Sequence, residues 1–155
     1  MNREWTSALV ALLAACSLST ARAETPAAVC SRLGTDDTLR PVPKTLAPAV
    51  NAAFATAMPP EIIATISVYR CLAGQVWVCT TGANLPCGKA NQSRIPSAGA
   101  KSWCAQNPDA PMPAYVTGHD TLYEWRCLGA TPTPVRQLQQ VDSRGFVADY
   151  WKKLP

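Results

Sequence analysis

The first feature of the chain is no surface pattern at all but an apolar run, Ala8 to Leu18 (ALVALLAACSL). Eleven residues fall short of the roughly 20 that a membrane-spanning helix needs, and they match the core of an export signal. After it, Glu24 to Lys44 is polar and broken by prolines, with Cys30 as its expected tether. Leu46 to Met58 (LAPAVNAAFATAM) is alanine-rich, and Val50, Phe54 and Ala57 or Met58 recur at helical spacing. Thr45 is a candidate cap, and Pro59-Pro60 ends the pattern.

The period then changes. Ile62 to Leu72 and Gln75 to Thr81 are rich in β-branched and aromatic residues, with Ala73-Gly74 between them. This predicts a hairpin. A two-residue turn puts Tyr69, Cys71, Val76 and Val78 on one face and Arg70, Leu72, Trp77 and Cys79 on the other. Cys71 and Cys79 then cannot bond each other.

Residues 82–99 read as a long loop pinned at Cys87. Ser97 is placed to cap a short helix carrying Trp103 and Cys104, which Pro108 ends. Tyr115–Gly118 and Thr121–Leu128 are expected to be strands around the turn Gly118-His119-Asp120. Thr131-Pro132-Thr133-Pro134 is read as a stiff link, and Val135–Val141 as a further strand. Phe146 to Leu154 fits a helical stripe or a strand.

These segments predict an α+β domain: a small antiparallel sheet of four to six strands, an N-terminal helix and a short helix near Trp103, stabilised by disulfides. A mostly-β barrel is the alternative. With 155 residues the chain suits one domain. The expected organisation is a signal peptide over 1–23 and one exported domain over 24–155.

Cysteine usage sharpens this picture. Seven cysteines are an odd total. Ala21-Arg22-Ala23 is an A-x-A cleavage site, whereas Leu13-Ala14-Ala15-Cys16 has the form of a lipobox, in which Cys16 becomes a lipid-modified N-terminus. Either route removes Cys16 as a free thiol. It leaves Cys30, Cys71, Cys79, Cys87, Cys104 and Cys127, an even set suited to an oxidising compartment. Tyr69-Arg70-Cys71-Leu72 and Arg126-Cys127-Leu128-Gly129 echo each other as two strands ending at similar corners. On that echo, Cys71 and Cys127 are expected on neighbouring strands. The expected location is periplasmic or secreted, with a membrane association only through Cys16.

Charge and candidate chemistry narrow the function. The full chain carries a net +4, and losing Arg3, Glu4 and Arg22 with the leader leaves +3. The cations are scattered, so nucleic acid is not an expected partner. The six exported cysteines are spaced 41, 8, 8, 17 and 23 residues apart, without a CxxC pair. His119 is the only histidine. A zinc site built on several imidazoles is thereby ruled out, and no metal or other cofactor is implied. No nucleophile elbow or S-x-x-K motif is present, so a hydrolase would depend on His119 as base. Asp36-Asp37 reads as a solvated turn. Of four exported tryptophans, Trp77 is the candidate for a surface role because it shares a face with Arg70. His119 and Asp120 are the candidate ligand-contact residues of the turn. The sequence therefore predicts a non-enzymatic exported module that binds a protein or small-molecule ligand, with a His119-dependent hydrolase as the alternative.

Two resemblances add to this. CTTGANLPCGKAN, SWC, GHDTLYEWRC and VDSRGF together resemble small exported cysteine-containing bacterial proteins of unknown function, over about half of the exported chain. That likeness implies a disulfide-stabilised secreted domain and no particular activity. Tyr69-Arg70-Cys71 is also similar to a strand of the membrane-bound C-type lysozyme inhibitors. Ser97-Ala98-Gly99-Ala100-Lys101 approximates their inhibitory loop, with one inserted alanine, no following tyrosine and a different cysteine count. This second likeness implies a small β-barrel and a role for Lys101 at a lysozyme cleft.

Overall fold

The computed structural model describes residues 23–82 and 86–155. The expected leader, with Cys16 and the residues before Ala23, lies outside the described residues. Thr25 caps the first helix, α1 (Pro26–Leu33), its hydroxyl accepting from the Ala28 N–H at 3.3 Å. Pro26 sits in the first turn, where its missing N–H costs nothing. The segment expected to be irregular thus holds a helix and a strand, β1 (Asp36–Pro41).

The expected long helix is shorter and is divided. Thr45 falls in a 3-10 turn over Lys44–Leu46, and α2 covers Ala47–Phe54. Ala55 then turns left-handed at φ 52° and closes the helix. The Asn51 amide ties down the exit: it donates to the Met58 carbonyl at 2.9 Å and accepts from the Met58 N–H at 3.0 Å.

Pro59-Pro60 stops one helix and also starts another. Pro60 and Glu61 occupy the first turn of α3 (Pro60–Ile66), so the strand expected from Ile62 begins only at Ser67. A proline and an acid at a helix start outweighed the β-branched composition of the run. Ile63 packs into the core, while Ile62 on the opposite side is exposed.

The hairpin is as expected. β2 (Ser67–Leu72) pairs with β3 (Gln75–Thr80), with Arg70 opposite Trp77 and Cys71 opposite Val76. Ala73 and Gly74 both have positive φ (51° and 74°), the turn that matches strand twist in a two-residue loop. The sheet runs β1-β2-β3-β6, where β6 is Lys152–Lys153. It is antiparallel throughout and open, so the barrel alternative does not hold. One face, with Tyr69, Cys71, Val76 and Val78, packs on Cys30, Val50, Ile63 and Leu154. The other face meets Phe146, Trp151 and the Cys79–Cys87 pair.

The second half of the chain builds a separate two-stranded ladder. Ser97 caps α4 (Ala98–Gln106), accepting from the Ala100 N–H at 3.0 Å, as expected. Residues 114–117, expected as a strand, form the short helix α5 (Ala114–Thr117) between Pro113 and Gly118. β4 (Tyr123–Leu128) pairs with β5 (Thr131–Gln137). The Thr-Pro-Thr-Pro segment is therefore strand and not link. Pro132 and Pro134 lie opposite Cys127 and Trp125, at positions whose N–H would face away from β4. An edge strand is where a proline costs no ladder bond, and there it also blocks further strands from adding.

The disulfides are Cys30–Cys71, Cys79–Cys87 and Cys104–Cys127. Cys71 and Cys127 do end similar hairpin strands, but those strands belong to different sheets. Each cysteine is bonded to a helix beside its own hairpin, α1 for Cys71 and α4 for Cys127. Among the described residues no helix is long and apolar enough to cross a membrane. The disulfides fit folding in an oxidising environment.

Candidate functional site

A groove of about 470 Å³ opens on the surface beside the β4–β5 ladder. Four segments build it. Alternation along β4 places Tyr123 and Trp125 toward it, and a register shift after Glu124 brings that carboxylate to its wall. α5 contributes Tyr115, the turn after it contributes His119 and Thr121, and the chain leaving β5 contributes Leu138 and Gln139. Tyr150 closes the far side from the 3-10 turn Ala148–Tyr150.

The groove is held from below. Cys104–Cys127 fastens α4 to β4. Trp125 is buried, and its indole N–H donates to the Thr121 hydroxyl at 3.2 Å. The Leu138 N–H reaches the Leu122 carbonyl at 2.8 Å, and the Ala148 N–H reaches the Gln140 carbonyl at 3.0 Å. The Gln139 amide donates to the Tyr150 hydroxyl. Glu124 is paired with the Arg136 guanidinium. The Arg94 guanidinium lies 5.1 Å from the Tyr123 ring centre. Tyr115 is 72% exposed, and it makes an edge-to-face contact with Trp103 at 5.9 Å. A smaller hollow of about 40 Å³ shares Thr117, Thr121 and Trp125 with the groove and has the exposed Ile95 in its own lining.

Of the residues singled out in the sequence, the groove contains one. His119 is exposed and lines it. Asp120 is exposed on the same turn, outside the groove lining. No described side chain hydrogen-bonds the His119 imidazole. Trp77 is half-buried on the sheet against the Phe146–Trp151 cluster, and Lys101 is exposed on α4. Residues 97–101 form the cap and first turn of α4. Among the described residues no group of three or more histidine, cysteine or acidic side chains gathers as metal ligands.

A second polar centre lies across the sheet. The Arg70 side chain is 1% exposed and sits between Phe146 and Trp151, 4.0 and 4.6 Å from their ring centres. It is bonded to Asp142, and its Nη1 is 3.7 Å from Asp37. Lys89 and Arg144 each reach Asp37 at 3.0 Å. Asp37 is thus a junction of three cations and not part of a solvated turn. The Arg144 hydrogen bond, with help from Lys89, lowers its pKa against the opposing effect of burial. Burial pushes the Asp142 carboxyl up, but Arg70 and the N–H groups of Phe146 and Arg144 outweigh it and leave it low. This centre is closed by side chains and holds the Asp142–Phe146 turn onto the sheet.

A third hollow, of about 420 Å³, is lined by Phe54, Met58 and Ile66 together with polar side chains such as Thr80, Asp149 and Lys152. Comparison of the chain with family models, with curated proteins and with solved structures finds no match.

Proposed function

We propose that the chain is an exported binding module without catalytic activity, periplasmic or secreted, which takes its ligand in the aromatic groove beside β4 and β5. One observation carries this reading: an open groove of ligand size has exposed aromatic surface at its rim and a braced floor beneath it. Elsewhere the large aromatics are mostly consumed by packing, as Phe146 and Trp151 are. Tyr115 is left outside at a cost in exposed apolar area, which a ligand would recover. Export rests on the leader pattern of residues 1–23 and on the complete pairing of the six cysteines that follow it. Lipidation of Cys16 would add a membrane tether to the same domain.

The test is a thermal-shift screen of the oxidised protein against small molecules and short peptides. A ligand that raises the melting temperature of the parent and of Lys101→Ala, but not of Tyr115→Ala, supports the groove. Saturable turnover that His119→Ala abolishes would replace this reading with the hydrolase. Lysozyme inhibition that survives Tyr115→Ala and is lost in Lys101→Ala would replace it with the inhibitor-like one.

A further inference from the structure

We infer that the ligand of this groove is a neutral saccharide chain, a proposal that rests on the groove being the binding site. The polar groups of the groove carry the argument. Among the described residues its lining contains one carboxylate, Glu124, already paired with Arg136, and no lysine or arginine. A phosphate-bearing or otherwise anionic polymer would meet that carboxylate, while the neighbouring cations Arg136 and Arg94 are engaged with Glu124 and the Tyr123 ring.

The hydrogen-bonding capacity is two-way. Thr121 already accepts from the Tyr123 and Trp125 N–H groups and is left to donate, and Thr117 already donates to the Ala114 and Gly118 carbonyls and is left to accept. Tyr115 carries a hydroxyl that can do both, Gln139 keeps its side-chain carbonyl, and Glu124 keeps its second carboxylate oxygen. A ligand that covers this surface must supply donors as well as acceptors, or those oxygens lose water without replacement. A proline-rich peptide, the usual occupant of aromatic grooves among peptides, offers carbonyl acceptors and lacks N–H groups at its prolines. A sugar offers a hydroxyl at nearly every ring carbon, each a donor and an acceptor.

The aromatic surface fits the other side of a sugar. Tyr115 is held by its contact with Trp103 and leaves most of its surface to solvent. Trp125 is buried under the groove with its N–H satisfied by Thr121, so the exposed aromatic surface is chiefly that of Tyr115. A pyranose ring has an apolar face of C–H groups that such rings can cover, with its hydroxyls pointing outward toward the polar rim. At about 470 Å³ the groove itself has room for more than one ring.

The experiment is a backbone-amide NMR titration of the oxidised protein with three probes: soluble oligomers of N-acetylglucosamine, soluble oligomers of glucose, and a proline-rich peptide. The expected result is that at least one saccharide series shifts the amides of His119, Thr121, Glu124 and Gln139, with affinity rising with oligomer length. Tyr115→Ala should weaken that affinity about tenfold, Gln139→Ala about threefold, and Lys101→Ala should leave it unchanged. Shifts at these amides from the peptide alone would overturn the saccharide inference and keep the groove as a binding site. Saccharide shifts confined to other surfaces would overturn both. Silence of the groove amides with all three probes would overturn the saccharide inference, leaving the thermal-shift screen to decide the groove itself.

Discussion

The Arg70 guanidinium lies 4.0 Å from the centre of the Phe146 ring, and its Nη2 is bonded to the carboxylate of Asp142 in the same turn. One side chain from the middle of the sheet therefore grips a turn 72 residues away, through its flat face and one guanidinium nitrogen together. Cutting it to Arg70→Met keeps much of the volume but leaves Asp142 and Asp37 without their buried partner. The expected loss is about 3 kcal/mol of unfolding free energy, the low end for a broken buried pair because Asp142 is 20% exposed. Urea unfolding measures it. Adding Asp142→Asn should return part of the loss, since the stranded charge is then gone. A single variant as stable as the parent would show that the pair holds nothing.

Acid should weaken the fold. The Thr38 N–H and then the Arg40 guanidinium bring the Asp36 carboxyl down to about 2, and those of Asp37 and Asp142 also lie below the usual range. On acidification the unfolded chain takes up these protons first, near pH 4, whereas the folded chain resists until lower pH. Stability from these groups is thus fully present above about pH 4 and is lost as pH falls toward 2. Urea midpoints taken between pH 6 and pH 2 should fall, and Asp37→Asn with Asp142→Asn should flatten the decline. A midpoint independent of pH in the parent would contradict this.

The disulfides close loops of 41, 8 and 23 residues. Loop-closure entropy alone ranks Cys30–Cys71 at about 4 kcal/mol, Cys104–Cys127 at about 3.5 and Cys79–Cys87 at about 2.5. Paired Cys→Ala variants should lower the melting temperature in that order. Cys104→Ala with Cys127→Ala should also broaden the groove amides, because this bond fastens α4 to β4. Intact mass should rise by six hydrogens on reduction.

Some of this was readable in the chain because it is local. The β2–β3 hairpin declares itself in two β-branched runs around Ala73-Gly74, and α4 in the Ser97 cap. The Cys30–Cys71 bond is not local. The likeness of the Cys71 and Cys127 segments was real, but it reflected the same position in two hairpins and not adjacency. Pro60 and Pro132 misled for one reason, since proline ends some elements and suits the first turn or the free edge of others. The groove was the least legible feature. Tyr115, Gln139 and Tyr150 are scattered over 36 positions, and nothing in their spacing distinguishes a rim tyrosine from a core one. Only His119 drew notice, because it is the single histidine.

Gly118 joins the fold to the groove. It follows α5 at φ 92° and ψ 146°, a region that side chains other than glycine avoid. A Cβ there would also meet the Asp120 carboxylate at 2.7 Å. Gly118→Ala is therefore expected to cost about 1–3 kcal/mol and to displace the turn carrying His119 and Thr121. Gly88 offers the contrast. Its φ is not positive, and a Cβ there meets no atom within 4 Å. Gly88→Ala should be neutral or stabilise by about 0.4–1 kcal/mol, through the unfolded chain. Thermal melts should show a fall for Gly118→Ala and none for Gly88→Ala, with groove amide shifts in Gly118→Ala alone. If Gly118→Ala left both stability and groove amides unchanged, the turn would not be held by the glycine conformation, and the His119 wall would owe its position to α5 and β4 alone.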